Sequence, residues 1–340
     1  MPRRRSSPRR RSRSSPVRIL PISHVDATEY LAPFPQRRVR RPVRIRLTEH
    51  TYPLESSPEQ SWLPIAFRAF ARIAGLIPVR DLLILGTGNG LDALAAMEIF
   101  DLRSLAVTDL FEESLSVSRE NILAHVRDER ATEISFHAGH LLSCVPPETR
   151  LDLLYENLPN IPATPEVALE RGINTGRFFD ATGLEVPPPF GDHLLALHHR
   201  LLGEALGHVR DGGGVLTALG GRIPDEVAFG LHRACGYVPH LVAFDVKVQA
   251  EPQLVLPGYR RVEDETGVEF RFYATEAIEI VAQGRRSGLD GEELAAAVED
   301  DLRRLTMSAR EAEERSRRGE AVAHSVLMIF GRRRASNDLL

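Results

Sequence analysis

Residues 62–77 set Ile65, Phe67, Phe70 and Ile73 at helical spacing and predict an amphipathic helix. A fully apolar run, Leu82-Leu83-Ile84-Leu85, then follows Asp81 and enters Gly86-Thr87-Gly88-Asn89-Gly90, and the stretch from Leu91 to Met97 is again apolar. That order reads as a buried strand, a glycine-rich turn and a helix. The alternation continues. Residues 104–108 form a strand ending at Asp109, 112–126 a helix, and 133–137 and 151–155 strands, the second ending in Glu156-Asn157-Leu158-Pro159-Asn160. A long amphipathic helix is expected at 192–209, a sharp stop at Asp211-Gly212-Gly213-Gly214, a fifth strand at 215–219 and a helix at 228–234 ending near Gly236. Residues 241–248 and 269–273 are expected to close the sheet. A helix rich in Glu and Arg covers about 291–318, and 325–330 is a final apolar strand whose neighbours the pattern does not assign. Strands alternating with helices predict an α/β fold: a doubly wound, mostly parallel sheet with helices on both faces.

Composition narrows the class. The chain has 340 residues, 43% hydrophobic and 26% charged, ordinary for a globular protein of one large domain or two small ones. No apolar run reaches the ~18 residues of a membrane-spanning helix. Cys144 and Cys235 are too few for a disulfide framework and lack partners at metal-ligand spacing, so they read as small core residues of a cytoplasmic protein. His193, His198, His199 and His208 share one predicted helix without the carboxylates or cysteines that would complete a site, so no metal is expected.

Forty-three Lys and Arg against 47 Asp and Glu give a formal charge of −4, which excludes a strongly basic nucleic-acid wrapper. The average hides an asymmetry. Residues 1–18 carry eight Arg and no acid, so removing this +8 from −4 leaves −12 on the remainder. Such a segment cannot bury enough apolar surface to order itself and reads as a disordered tail, either a solvated extension or a contact for RNA or another anionic surface. It lacks the apolar stretch of a secretory signal. A second basic stretch, Arg37 to Arg46, alternates with Val39, Val43 and Ile45 and reads as an edge strand or an arm on the acidic body. The expected organisation is a tail (1–18), an arm with a lid helix (19–75), the α/β core (76–280) and a helix-and-strand extension (281–340).

Glycines at 86, 88 and 90 permit a tight turn and close approach of a ligand to the backbone, and the helix behind them presents free N–H groups. The spacing is GxGxG, not the GxGxxG of the dinucleotide fingerprint. Asp109 lies 19 residues beyond Gly90 at the end of the next strand, where a carboxylate can accept hydrogen bonds from both hydroxyls of a ribose. With these residues, Leu83 to Gly90, Val107-Thr108-Asp109-Leu110 and Asn157-Leu158-Pro159-Asn160, the sequence resembles the class I S-adenosylmethionine-dependent methyltransferases over roughly residues 60–275. The resemblance implies a seven-stranded Rossmann-like sheet and S-adenosyl-L-methionine as cofactor. It places Gly86, Thr87, Gly88 and Gly90 against the methionine portion, Asp109 on the ribose, Leu110 beside the adenine, His140 and Leu141 near the adenine amine, and Asn157 at the cofactor. Two positions depart from the family pattern: His140 stands where many members have an acid, and Ile84 where an acid often precedes the loop.

Asn157-Leu158-Pro159-Asn160 looks like a degraded NPPY motif, which in this family marks acceptors with amide or exocyclic amine nitrogens. Leu158 replaces the first proline and Asn160 the aromatic. Three later stretches, Leu219-Gly220-Gly221-Arg222-Ile223-Pro224, Leu231 to Tyr237 and Val268 to Tyr273, resemble the methyltransferase portion of methionine S-methyltransferases. The release-factor glutamine methyltransferases are the more distant comparison. The resemblance implies methyl transfer to a small molecule, with the thioether of L-methionine preferred and S-methylmethionine the product. Asn157 and Pro159 would then be catalytic, and Tyr52, Glu55, Trp62, Asn160, Arg222 and Tyr273 would contact the substrate, Arg222 by pairing with a free amino acid's carboxylate. A thioether has no proton to lose and needs no base, whereas an amide does. The other readings are an N-methyltransferase acting on a protein glutamine or another amide or amine, and a non-catalytic cofactor-binding or RNA-associated module.

Overall fold

The computed structural model describes residues 23–48, 51, 54, 58, 61–128, 130–162, 178–179 and 185–334. The Arg-rich stretch 1–18, Tyr52 and Glu55 lie outside these residues. Strand β1 (Ser23–Asp26), helix α1 (Thr28–Leu31) and strand β2 (Arg44–Leu47) form an arm, with β1 and β2 antiparallel. The body follows as α2 (Leu63–Ala74), β3 (Asp81–Leu85), α3 (Leu91–Ile99), β4 (Ser104–Asp109), α4 (Glu112–His125), β5 (Glu133–Ala138) and β6 (Leu151–Glu156). The short pair β7 (Ile161–Pro162) and β8 (Phe178–Phe179) leads to α5 (Pro188–Asp192), α6 (Ala196–Ala205), β9 (Val209–Gly220), α7 (Asp225–Ala234) and β10 (Tyr237–Val248). The chain then forms α8 (Pro252–Thr266), β11 (Phe272–Ala274), α9 (Glu276–Arg286), α10 (Gly291–Leu305), β12 (Thr306–Met307), α11 (Ala309–Arg317) and β13 (Val322–Arg333).

Strands β5, β4, β3, β6 and β9 run parallel in that order, as an apolar β3 buried on both faces requires. Antiparallel β13 is inserted between β9 and β10. In order of succession the seven long strands read 3-2-1-4-5-7-6 with the seventh reversed, the class I methyltransferase arrangement. Two short strands, β11 and β12, extend the sheet beside the start of β13, giving nine in all. Two hydrophobic clusters pack the sheet. Helix α2 is amphipathic as expected, and its Phe70 meets Tyr155 of β6 edge-on with ring centroids 4.9 Å apart. Among the described residues no helix is long and apolar enough to cross a membrane.

The differences from the sequence pattern have local causes. The helix expected at 192–209 is the shorter α6: Leu194 adopts a left-handed φ of 64° between α5, which ends at Asp192, and α6, and β9 already begins at Val209. Residues 211–214 are not a stop. They lie inside β9, and a side chain on Gly214 would collide with the Phe330 ring of β13. The charged stretch 291–318 is interrupted at Thr306–Met307, after which Ser308 and Glu311 form a capping box that starts α11 afresh. The strand expected at 269–273 is the short β11, and helices α8 and α9 escaped the pattern altogether. The basic arm lies on α3 and α4. The Glu98 carboxylate accepts the backbone N–H groups of Arg37 at 2.8 Å and Val39 at 2.7 Å, and Asn121 accepts that of Arg46 at 2.8 Å.

Candidate functional site

The carboxyl ends of β3, β4, β6 and β9 open onto one cavity of about 640 Å³. Gly86 and Gly88 line it with φ of 74° and 61°, a backbone region that side chains disfavour, and a Cβ on Gly86 would meet no heavy atom within 4 Å. The Gly86 N–H donates to the Thr108 carbonyl at 2.9 Å, which ties the loop to β4. Asp109, at the end of β4, accepts the Gly88 and Phe111 N–H groups, each at 3.2 Å. Burial pushes the Asp109 carboxyl up from its ordinary value, while these backbone donors oppose the shift. Leu110 and Phe111 are exposed apolar residues beside it, and Thr87, His140 and Leu141 complete this end.

The loop after β6 forms the middle of the cavity. Asn157 and Pro159 line it, and Asn157 is exposed. Asn160 lines it too but is committed to structure: its side-chain amide N–H donates to the Gly220 carbonyl at 3.1 Å, and its backbone carbonyl accepts the Tyr259 hydroxyl at 2.7 Å. The loop is held from behind by a pair that the sequence did not reveal. Glu156 and His198 are both 0% exposed, with His198 Nδ1 2.9 Å from Glu156 Oε1, while Glu156 Oε2 accepts the Leu158 N–H at 2.8 Å. A histidine and a carboxylate therefore do meet next to this motif. They are sealed beneath it and position the loop.

Of the remaining cofactor and substrate candidates, Trp62 and Arg222 line the cavity. Gly90 and Tyr273 do not. Gly90 begins α3 at φ 86°, where a Cβ would press on Ile122 and Ser118 of α4, and Tyr273 is buried where β11 pairs with β13. The wall opposite Asp109 is formed by Arg222, Lys247, Gln249, Glu251 and His324. All but Arg222 went unread in the sequence, since only the placement of β13 beside β10 brings them to the cavity. Among the described residues no group of three or more His, Cys, Asp and Glu side chains could hold a metal ion.

No family model matches the chain, and no curated protein matches it. Similar solved structures include the YcgJ protein from Bacillus subtilis, at 10% identity over 80% of this chain and 99% of that one, with a TM-score of 0.42. The ribosomal protein L11 methylase from Lactobacillus delbrueckii subsp. bulgaricus shows 18% identity over 54% of this chain and 69% of its own, with a TM-score of 0.33. A methyltransferase from Pyrococcus furiosus shows 18% identity over 58% and 80%, with a TM-score of 0.32. These likenesses are too remote to bear on activity. The fold assignment stands on the strand order and direction.

Proposed function

We propose that the protein transfers a methyl group from S-adenosyl-L-methionine to a small molecule, with the thioether of L-methionine as acceptor. The observation that carries the reading is the convergence of the glycine loop, Asp109 and Asn157 on one cavity at the carboxyl edge of a doubly wound sheet, where such folds take their ligands. The residues present fit the cofactor: Gly86 leaves open space where a side chain would intrude, and Asp109 keeps a carboxylate at the cavity for ribose hydroxyls. When bound, the cofactor supplies an electrophilic methyl group. Gly86, Thr87 and Gly88 would hold its methionine portion, Leu110 and Phe111 would cover the adenine, and Asn157 and Pro159 would orient the acceptor. Catalysis would rest on positioning donor and acceptor together.

The thioether is favoured because the 157–160 loop presents no ionisable side chain, and the Glu156–His198 pair is sealed beneath it. Sulfur needs no proton removed. The test is to incubate the protein with S-adenosylmethionine and L-methionine and look for S-methylmethionine by mass spectrometry. Enzyme-dependent product is expected. Its absence from protein that binds cofactor by calorimetry rejects methionine as the acceptor.

A further inference from the structure

The cavity wall opposite Asp109 holds a buried cation that has no ion-pair partner among the described residues. Arg222 is 4% exposed. Its Nε donates to Gln249 Oε1 at 2.9 Å, and its guanidinium carbon lies 5.4 Å from the centre of the Tyr259 ring. Both contacts are with uncharged groups, and among the described residues no carboxylate forms an ion pair with Arg222. Taking a guanidinium out of water costs several kcal/mol, which a protein normally offsets with a counter-charge. Here the space where a counter-charge would sit is the cavity.

The surrounding charges agree. Lys247 lines the same wall. His324 stands there buried, its pKa held well below the usual value by burial and by the two cations Arg222 and Lys247. One carboxylate, Glu251, also lines this wall. Gln249 holds the guanidinium through Nε and the Tyr259 hydroxyl takes a hydrogen bond from it, and a guanidinium so held can still offer its remaining N–H groups to a planar anion.

We propose that this wall is a carboxylate-binding subsite for the methyl acceptor, with Arg222 as the anchoring residue. The acceptor is then a small carboxylic acid, not an uncharged base or a peptide amide. The inference rests on the cavity being the methyl-transfer pocket. The same chemistry could be met by the cofactor's own carboxylate. Position argues for the acceptor: β9, which leads into Arg222, lies two strands from the glycine loop on β3 and three from Asp109 on β4, about 10 and 14 Å across the sheet.

The experiment measures binding by calorimetry to protein saturated with S-adenosylhomocysteine, so that it does not depend on turnover. The probes are 3-(methylthio)propanoate against its amide and L-methionine against L-methioninamide, on the wild type, Arg222→Gln and Arg222→Lys. We expect at least one acid to bind the wild type tenfold or more tightly than its amide. The preference should vanish in Arg222→Gln and survive in part in Arg222→Lys, with S-adenosylhomocysteine affinity within twofold of wild type in both, which also shows that they fold. Equal binding of each acid and its amide, or no acid binding at all, overturns the subsite. A tenfold loss of S-adenosylhomocysteine affinity in folded Arg222→Gln assigns the arginine to the cofactor and overturns it too. Acid binding through Arg222 without any methylated product keeps the subsite and rejects methionine as acceptor.

Discussion

Asp92 and Asp109 are neighbouring acids with different duties. Asp109 faces the cavity, whereas Asp92 is buried beneath the glycine loop, where its Oδ1 accepts the Thr87 hydroxyl at 2.7 Å and the Ala93 N–H at 2.8 Å. Burial pushes the Asp92 carboxyl up to about 7 against these donors, and the charge of Asp109 adds to the rise. The folded chain therefore holds a proton between about pH 4 and 7 that the unfolded chain has lost, so stability falls as pH rises through that window, by at most about 4 kcal/mol. Urea midpoints at pH 5 and pH 8 should differ less in Asp92→Asn than in wild type, and an unchanged difference would show that Asp92 is not the group responsible. Asp109→Ala should weaken S-adenosylmethionine binding about 10- to 100-fold, the value of hydrogen bonds to a charged group. Undiminished affinity in the folded variant would remove Asp109 from the ribose. The loop and Asp109 were legible because their chemistry lies in local spacing at strand ends. The Glu156–His198 pair was not, because its partners are 42 residues apart and His198 belongs to a helix whose start the sequence misplaced.

At the level of elements, glycine reads differently in different neighbourhoods. Gly214 in β9 faces Phe330 and the Gly331 carbonyl of β13 with no space for a methyl group, so Gly214→Ala should destabilise by about 1–3 kcal/mol through overpacking. Gly230, inside α7, has no heavy atom within 4 Å of an added Cβ, and Gly230→Ala should stabilise by about 0.5–1 kcal/mol through helix propensity. Chemical denaturation of both variants checks the contrast, and a Gly214→Ala protein as stable as wild type would mean that β9 and β13 are not packed so closely. The same contrast explains a misreading. From the sequence, Gly212-Gly213-Gly214 is a stop between a helix and a strand; in the fold it lies inside β9, and Gly214 is what allows β9 and β13 to approach. Period and charge predicted the elements well where each packs on the sheet beside its neighbours in sequence. They failed at 306–308, where a short pairing with β11 interrupts an otherwise continuous charged helical pattern.

For the molecule as a whole, the βα alternation fixed the class of fold, while the order of the last strands depended on contacts between distant segments. One consequence concerns the basic residues 1–18. If the acceptor is small and bound at the wall of Arg222, deleting them should leave kcat/KM for S-adenosylmethionine and the acceptor within about twofold of the full chain. A large loss would mean that the segment takes part in binding.

The insertion of β13 also governs the order in which the molecule can be made. Strand β9, paired with β6 on one side, finds its second partner more than 100 residues later, and β10 depends on the same late segment. On the ribosome the five parallel strands can assemble early, whereas β9 and β10 keep unpaired edges until residue 333 has emerged. The side of the pocket that carries the glycine loop and Asp109 is thus complete before the wall that carries His324 exists. A chain released early would keep the glycine loop but lose the wall that carries Lys247 and His324, and it would expose two strand edges open to aggregation.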